Sequence, residues 1–221
     1  MSKKNSPRIC AVITRNDPGL IAAASRYADL FEVRIDLIGG DWLKLAKMLR
    51  KPWLATNRLK IEGGAWDGSE EARRNELLKA AKAGASIVDV ELASPDIGEI
   101  VPQIKKYSLC LVSHHNNRRT PASATLRRVI EAEIAADADI CKLVTTARNS
   151  EDNLTILSVI GEYRQTRIVA FAQGPRGQLS RLLCPLAGGD FTYAAIDGAE
   201  TAAPGQLTLS QMRRLYGVSG L

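Results

Sequence analysis

Lys142 lies between Ile140-Cys141 and Leu143-Val144, and alone among the lysines of the chain it falls inside an apolar run of the kind that forms a buried strand. An ammonium taken out of water needs a partner charge or gives up its proton. Burial and neighbouring arginines would favour the neutral amine, which attacks carbonyl carbon; a salt bridge to a carboxylate is the structural alternative. The two histidines, His114 and His115, close another apolar run in Val-Ser-His-His-Asn, so any imidazole-based proton transfer must use one of them. Ser113 and His115 share one parity and would face the same side of a strand.

Charged residues gather at the ends of further apolar runs. Glu32, Arg34 and Asp36 alternate in Phe-Glu-Val-Arg-Ile-Asp and would share one strand face, where three charges must pair with one another or with a ligand. Asp89 and Glu91 repeat the pattern, with pairing to arginines and chemistry equally open. Arg58 is followed by Glu62 and then Gly63-Gly64, a carboxylate on a loop suited to closing over a substrate. Gln173-Gly-Pro-Arg-Gly-Gln-Leu-Ser-Arg181 leads towards a helix N-terminus, a place that favours anions. Ala203-Pro-Gly-Gln206 sets Gln206 either to open the last helix or to touch ligand.

The elements that must position these groups are eight short runs at 9–14, 31–36, 53–56, 86–92, 109–113, 140–145, 167–172 and 191–196, separated by helical patterns. After Thr120-Pro121, Leu126, Val129, Ile130 and Ile134 share a helical face, with Thr120 as N-cap and Pro121 at the first helical position. Ser150 begins a helix carrying Ile156, Val159, Ile160 and Tyr163. Another runs from Ser69, with Glu70 and Glu71 in its first turn, to Gly84. Ala81–Val90 and Ala135–Val144 resemble each other as a weak internal repeat. Strands alternating with helices imply parallel pairing, and eight such units close into a (β/α)8 TIM-type barrel with its active site at the C-terminal ends of the strands. No linker interrupts the series, so residues 1–221 read as a single domain.

Composition narrows the function. The 45% hydrophobic and 24% charged residues suit a globular protein with a sizeable core, and the net charge of +6 attracts anions. The paired arginines 73–74, 118–119, 127–128 and 213–214 are dispersed and aromatics are scarce, so they read as solvated faces and not as a nucleic-acid footprint. The four cysteines form no CxxC pair; neither a zinc site nor a disulfide is expected, and each reads as a small buried residue. No apolar segment near Met1 resembles a signal peptide or a membrane span, which leads to the expectation of a cytoplasmic protein.

Together, from Ile9 to Gln206, these motifs resemble in order and spacing the type I 3-dehydroquinate dehydratases. The resemblance implies a barrel enzyme that forms an imine between a lysine and its anionic ketone substrate. A histidine then removes a C2 proton, and the C1 hydroxyl is lost to give 3-dehydroshikimate, a step of the shikimate pathway to aromatic amino acids. It implies no metal and no organic cofactor, and a homodimer. By motif, the lysine is Lys142, the histidine of S-x-H is His115, and Glu62 is the loop glutamate that would orient it. The implied substrate-binding set is Glu32 and Arg34 of E-x-R, Arg58, Arg181 as the carboxylate clamp, and Gln206 of P-G-Q. The chain departs from many relatives at Ala202, where they carry a hydroxyl, at His115-Asn116-Asn117, and at Phe171-Ala172-Gln173-Gly174, where they carry a methionine.

Lys142 would equally suit another Schiff-base barrel, such as an aldolase; Arg181 and the lack of a phosphate-specific loop favour a carboxylate substrate. A non-enzymatic basic binding module is the third reading. It requires salt-sensitive nucleic-acid binding that survives loss of Lys142.

Overall fold

The computed structural model describes residues 6–217. Eight strands, β1 (Ile9–Ile13), β2 (Leu30–Arg34), β3 (Trp53–Thr56), β4 (Ile87–Glu91), β5 (Leu109–His115), β6 (Ile140–Thr146), β7 (Ile168–Gln173) and β8 (Thr192–Ala195), alternate with helices. Every ladder is parallel; β1 to β7 are joined in chain order and β8 lies against β1. Between β7 and β8, Asp190 N–H donates to Ile168 O at 2.8 Å and draws the ring together. The expected (β/α)8 barrel is thus what the chain forms.

Around the ring run α1 (Pro18–Ala24), α2 (Ile35–Ile38), α3 (Trp42–Ala46), α4 (Glu70–Lys82), α5 (Ile97–Ile104), α6 (Ser123–Ala135), α7 (Glu151–Glu162), α8 (Gln178–Leu183) and α9 (Leu209–Leu215). Outward strand residues such as Phe31, Val33, Val88 and Val112 pack with Trp42, Leu77, Ile100 and Met212 of these helices. None of the helices among the described residues is long and apolar enough to cross a membrane. All four cysteines are free and buried.

Alternation decides what the barrel holds inside. At the N-terminal ends of the strands Cys10, Leu30, Leu54, Ile87, Leu111 and Ile140 belong to one apolar cluster. Two residues further on, the same faces carry Glu32, Thr56, Asp89, Ser113 and Lys142, all buried. The interior is therefore apolar at one end and ionic at the other, and the ionic end is where the strand C-termini open to the loops.

Several local expectations change. Asp36 is not on the second strand, which ends at Arg34; it lies in the first turn of α2, where its carboxylate can fold back on the arginine. The helix after Thr120-Pro121 starts later, at Ser123 with Ala122 as N-cap, because Thr120 Oγ1 is engaged with Thr145 Oγ1 (2.8 Å) and Thr146 O (3.2 Å). Ile134, expected on its apolar face, is 41% exposed. Ser69 does cap α4, accepting Ala72 N–H at 3.2 Å, whereas Ser150 precedes α7 without capping it through its side chain. Two arginines read as solvated are buried: Arg73 inside an ion-pair cluster, and Arg213 on Tyr27 O and Asp29.

Candidate active site

A cavity of about 430 Å³ opens at the C-terminal ends of the strands. All eight residues that the resemblance assigns to the site line it: Glu32, Arg34, Arg58, Glu62, His115, Lys142, Arg181 and Gln206. His114 points to the other face of β5 by alternation and is not part of the wall.

Lys142 stands at the base of the cavity. Its Nζ donates to Asp89 Oδ2 at 2.8 Å, lies 4.0 Å from Glu32 Oε1, and is 4.6 Å from the centre of the Tyr193 ring. Glu32 Oε1 also accepts from Thr56 Oγ1 at 2.7 Å. Asp89 is the busiest acceptor: Oδ2 is 2.6 Å from Arg58 Nη2, and Oδ1 accepts from Ser113 Oγ at 2.6 Å. Ser113, expected to face the pocket beside His115, lies beneath it and also accepts from Arg58 Nη1 at 2.9 Å. Although burial works against ionisation, the charges of Arg58 and Lys142 hold the Asp89 carboxyl well below the usual range.

His115 Nδ1 and Glu62 Oε2 are 2.8 Å apart. Burial, then the nearby charges of Arg58 and Lys142, keep the imidazole well below its ordinary pKa, so it is neutral at neutral pH. Burial pushes the Glu62 carboxyl up to about 7, with Arg58, 3.6 Å away, acting in the opposite sense. The pair thus has a base form near neutrality, with Nε2 the ring nitrogen left for a substrate.

Glu62 ends a tight turn, and not an open flap. Gly63 takes φ +85°, Trp66 N–H donates to Arg58 O at 3.0 Å, and a Cβ on Gly64 would come within 2.1 Å of the same carbonyl. Only glycine fits there. Asp36 ties this turn to Arg34: it receives Arg34 Nε at 2.9 Å and Nη2 at 2.6 Å while accepting Ala65 N–H at 3.0 Å.

Arg181, on α8, is 2% exposed and stacks 4.2 Å above the Phe171 ring. Among the described residues it has no carboxylate partner, and its Nε makes no hydrogen bond. Burial lowers its pKa to about 10, which still leaves it cationic at neutral pH. A buried, unneutralised guanidinium in a cavity wall is a site for an anion. Gln206 Oε1 accepts Ala202 N–H at 3.1 Å, leaving its NH2 to donate. Its loop is pressed on the β7 loop: Gly174 N–H donates to Pro204 O, and a Cβ on Gly205 would lie 2.4 Å from Gly174 O.

Asp89, Ser113 and Thr56 complete the ionic end; Asp89 takes the arginine-pairing alternative left open for it in the sequence, and Thr56 was not singled out there. The signal for each was its parity with a chosen residue on the same or a neighbouring strand.

The type I 3-dehydroquinase family model matches residues 9–221. A 3-dehydroquinate dehydratase of Dehalococcoides mccartyi is 44% identical over 211 residues, covering 96% of this chain and 95% of that protein. One from Methanosarcina acetivorans is 34% identical over 209 residues, covering 87% and 86%. The crystal structure of 3-dehydroquinate dehydratase from Geobacillus kaustophilus superposes with a TM-score of 0.84 at 26% identity, covering 97% of this chain and 91% of that one. With the barrel, the cavity and these relatives in agreement, the chain belongs to the type I 3-dehydroquinase family.

Proposed function

We propose that the chain is a single-domain hydro-lyase that converts 3-dehydroquinate to 3-dehydroshikimate and water through an imine on Lys142. The observation that carries this reading is the pairing, in one cavity, of a buried lysine on a strand with a neutral histidine and an anion-seeking arginine. The relatives named 3-dehydroquinate dehydratase support the choice of substrate.

In this reading the Arg181 guanidinium takes the substrate carboxylate and Gln206 donates to a substrate oxygen, which sets the ketone over Lys142. Lys142 adds through its amine to the carbonyl carbon, two of the three ammonium protons pass to the carbonyl oxygen by way of the carbinolamine, and that oxygen leaves as water to give the cationic imine. That cation draws electrons, so His115 removes the C2 proton and the C–H pair becomes the enamine π bond. The enamine pushes out the C1 hydroxyl, which takes the proton back from His115 and leaves as water. Hydrolysis of the remaining imine frees the product and restores Lys142. Glu62 holds the His115 ring through Nδ1, and Asp89 supplies the counter-charge when Lys142 is cationic. Glu32, Arg34 and Arg58 serve the substrate's polar groups.

The test is borohydride trapping with 3-dehydroquinate followed by peptide mass mapping. The expected adduct is on Lys142; turnover without an adduct there rejects the imine. The homodimer implied by the resemblance and the cytoplasmic address expected from the N-terminal segment belong to the same proposal, and sedimentation velocity tests the first.

A further inference from the structure

The ion pairs of the cavity continue through the barrel wall to Arg73, which lies outside the reactive set. Arg73 sits on α4 and is 0% exposed. Its Nε and Nη2 donate to Glu70 at 2.8 and 2.6 Å, Nη2 donates to Ser94 Oγ at 2.7 Å, and Nη1 reaches Asn57 O at 3.4 Å and Glu91 Oε2. Glu91 ends β4 and uses its other oxygen, Oε1, to accept Leu59 N–H at 3.2 Å and to pair with Arg58 Nη1 at 3.0 Å. Arg58 then holds Asp89, and Asp89 holds Lys142. A chain of alternating sign, Arg73–Glu91–Arg58–Asp89–Lys142, therefore runs from the helix layer to the base of the cavity.

Charge balance gives the chain a purpose. Arg58 faces three carboxylates, Glu62, Asp89 and Glu91, and cannot neutralise them alone. Removing Arg73 would leave Glu91 a buried, half-compensated anion, which is costly in a low-dielectric wall. Glu91 would then compete with Asp89 for Arg58, and its charge would reach Glu62 and His115 across the same few ångströms. The titratable and charged groups around His115 are Glu62 from the turn, Arg58 from the loop just after β3, Asp89 from β4, His114 beside it and Lys142 from β6.

We propose that Arg73 and Glu91 are positioning residues for the reaction proposed above: their buried ion pair fixes the Arg58 guanidinium against Asp89 and cancels the charge of Glu91 towards the cavity. The inference rests on that reaction for its kinetic arm only.

The experiment uses the full chain with Arg73→Met, Arg73→Lys, Glu91→Gln and Arg73→Met/Glu91→Gln. Each is measured for kcat and KM with 3-dehydroquinate across pH, and by NMR titration of the His115 ring, identified with the aid of His114→Gln. Arg73→Met should lose roughly tenfold or more in kcat, on the scale seen when a group that holds a metal-ligating side chain in place is removed. Its acid limb and the His115 titration should both move to higher pH, because an uncompensated carboxylate favours the imidazolium. The double variant should return both pH signatures towards wild type while kcat stays low. Arg73→Lys keeps the charge and should keep the signatures.

An Arg73→Met protein with wild-type pH behaviour overturns the proposal, even if it is less stable. Should that variant not fold, Glu91→Gln decides: it leaves Arg73 and Arg58 in excess and must move both signatures to lower pH, and no movement overturns the proposal. If the wild-type chain leaves 3-dehydroquinate unchanged, the reaction reading fails, while the His115 titration still tests the charge role.

Discussion

His115 Nδ1 lies 2.8 Å from Glu62 Oε2, and each side chain is 11% exposed. A ring held through Nδ1 presents Nε2 in a defined direction, and its neutrality is set by burial and by the Arg58 and Lys142 charges. The roles of the two histidines can therefore be separated. His115→Ala should still form the borohydride adduct on Lys142 but lose about 10²–10⁴-fold in kcat, the usual contribution of a positioned general base. His114→Ala, changed on the outer face of β5, should stay within a few-fold of wild type. Equal losses would remove the assignment of the base to His115.

Glu62 makes a pH prediction with a definite sign. Its carboxyl is raised to about 7 in the fold from an ordinary value of 4.5, chiefly by burial. Deprotonation of the Glu62–His115 pair then sets the acid limb of kcat/KM near that pH. Glu62→Gln should move the limb lower, because the remaining imidazole titrates below its ordinary value. The same shift acts on stability. A raised carboxyl favours the fold fully below 4.5 and loses that contribution as pH rises through about 7. Glu62→Gln should accordingly be more stable than wild type above neutrality, by roughly 1–3 kcal/mol in urea unfolding. Equal stability at pH 8.5 would count against a strained carboxylate.

What the sequence made legible follows from alternation. Glu32, Lys142 and His115 each sit at even spacing behind an inward apolar residue, Leu30, Ile140 and Leu111 respectively, so their shared cavity could be anticipated once a barrel was assumed. Asp36 was misread because the period-2 pattern of Glu32 and Arg34 continues past the strand end, and only the turn at Ile35 breaks it. Arg73 was misread for a different reason. A charged residue on an otherwise polar helix carries no mark of burial, and its partners Glu70, Ser94 and Glu91 are brought together only by the packing of α4 on β4. The closed turn around Glu62 was likewise hidden, since Gly63-Gly64 fits an open flap as well as a tight approach to Arg58 O.

Asp89 joins Lys142 to Arg58 with no exposed surface on its side chain. Asp89→Asn keeps the shape but leaves two buried cations without their shared anion. Breaking a buried pair in this way costs about 3–5 kcal/mol. In the wild-type fold the Asp89 carboxyl is held well below its ordinary 3.8, so its contribution is present above that pH and is lost as the solution is acidified below it. Urea titrations should show the gap between wild type and Asp89→Asn to be widest near neutrality and to shrink below pH 3.8. A gap that stays constant with pH would mean that Asp89 acts through packing and not through its charge.

Ala202 lines the cavity beside Gln206, and its N–H occupies Gln206 Oε1 at 3.1 Å. Many members of the resembled family carry a hydroxyl at this point, and a methyl group offers the substrate nothing to bond. Ala202→Ser adds one donor and acceptor at a place with room for it and leaves the backbone bond to Gln206 intact. A neutral hydrogen bond contributes about 0.5–1.5 kcal/mol, so KM for 3-dehydroquinate should fall by roughly two- to tenfold with little change in kcat. A fall in kcat at constant KM would place the new hydroxyl on the reacting centre instead. A rise in KM would mean that the 202 position packs against the substrate through its methyl group, and that the loss of the family hydroxyl is matched to the Phe171 and Gln173 wall opposite.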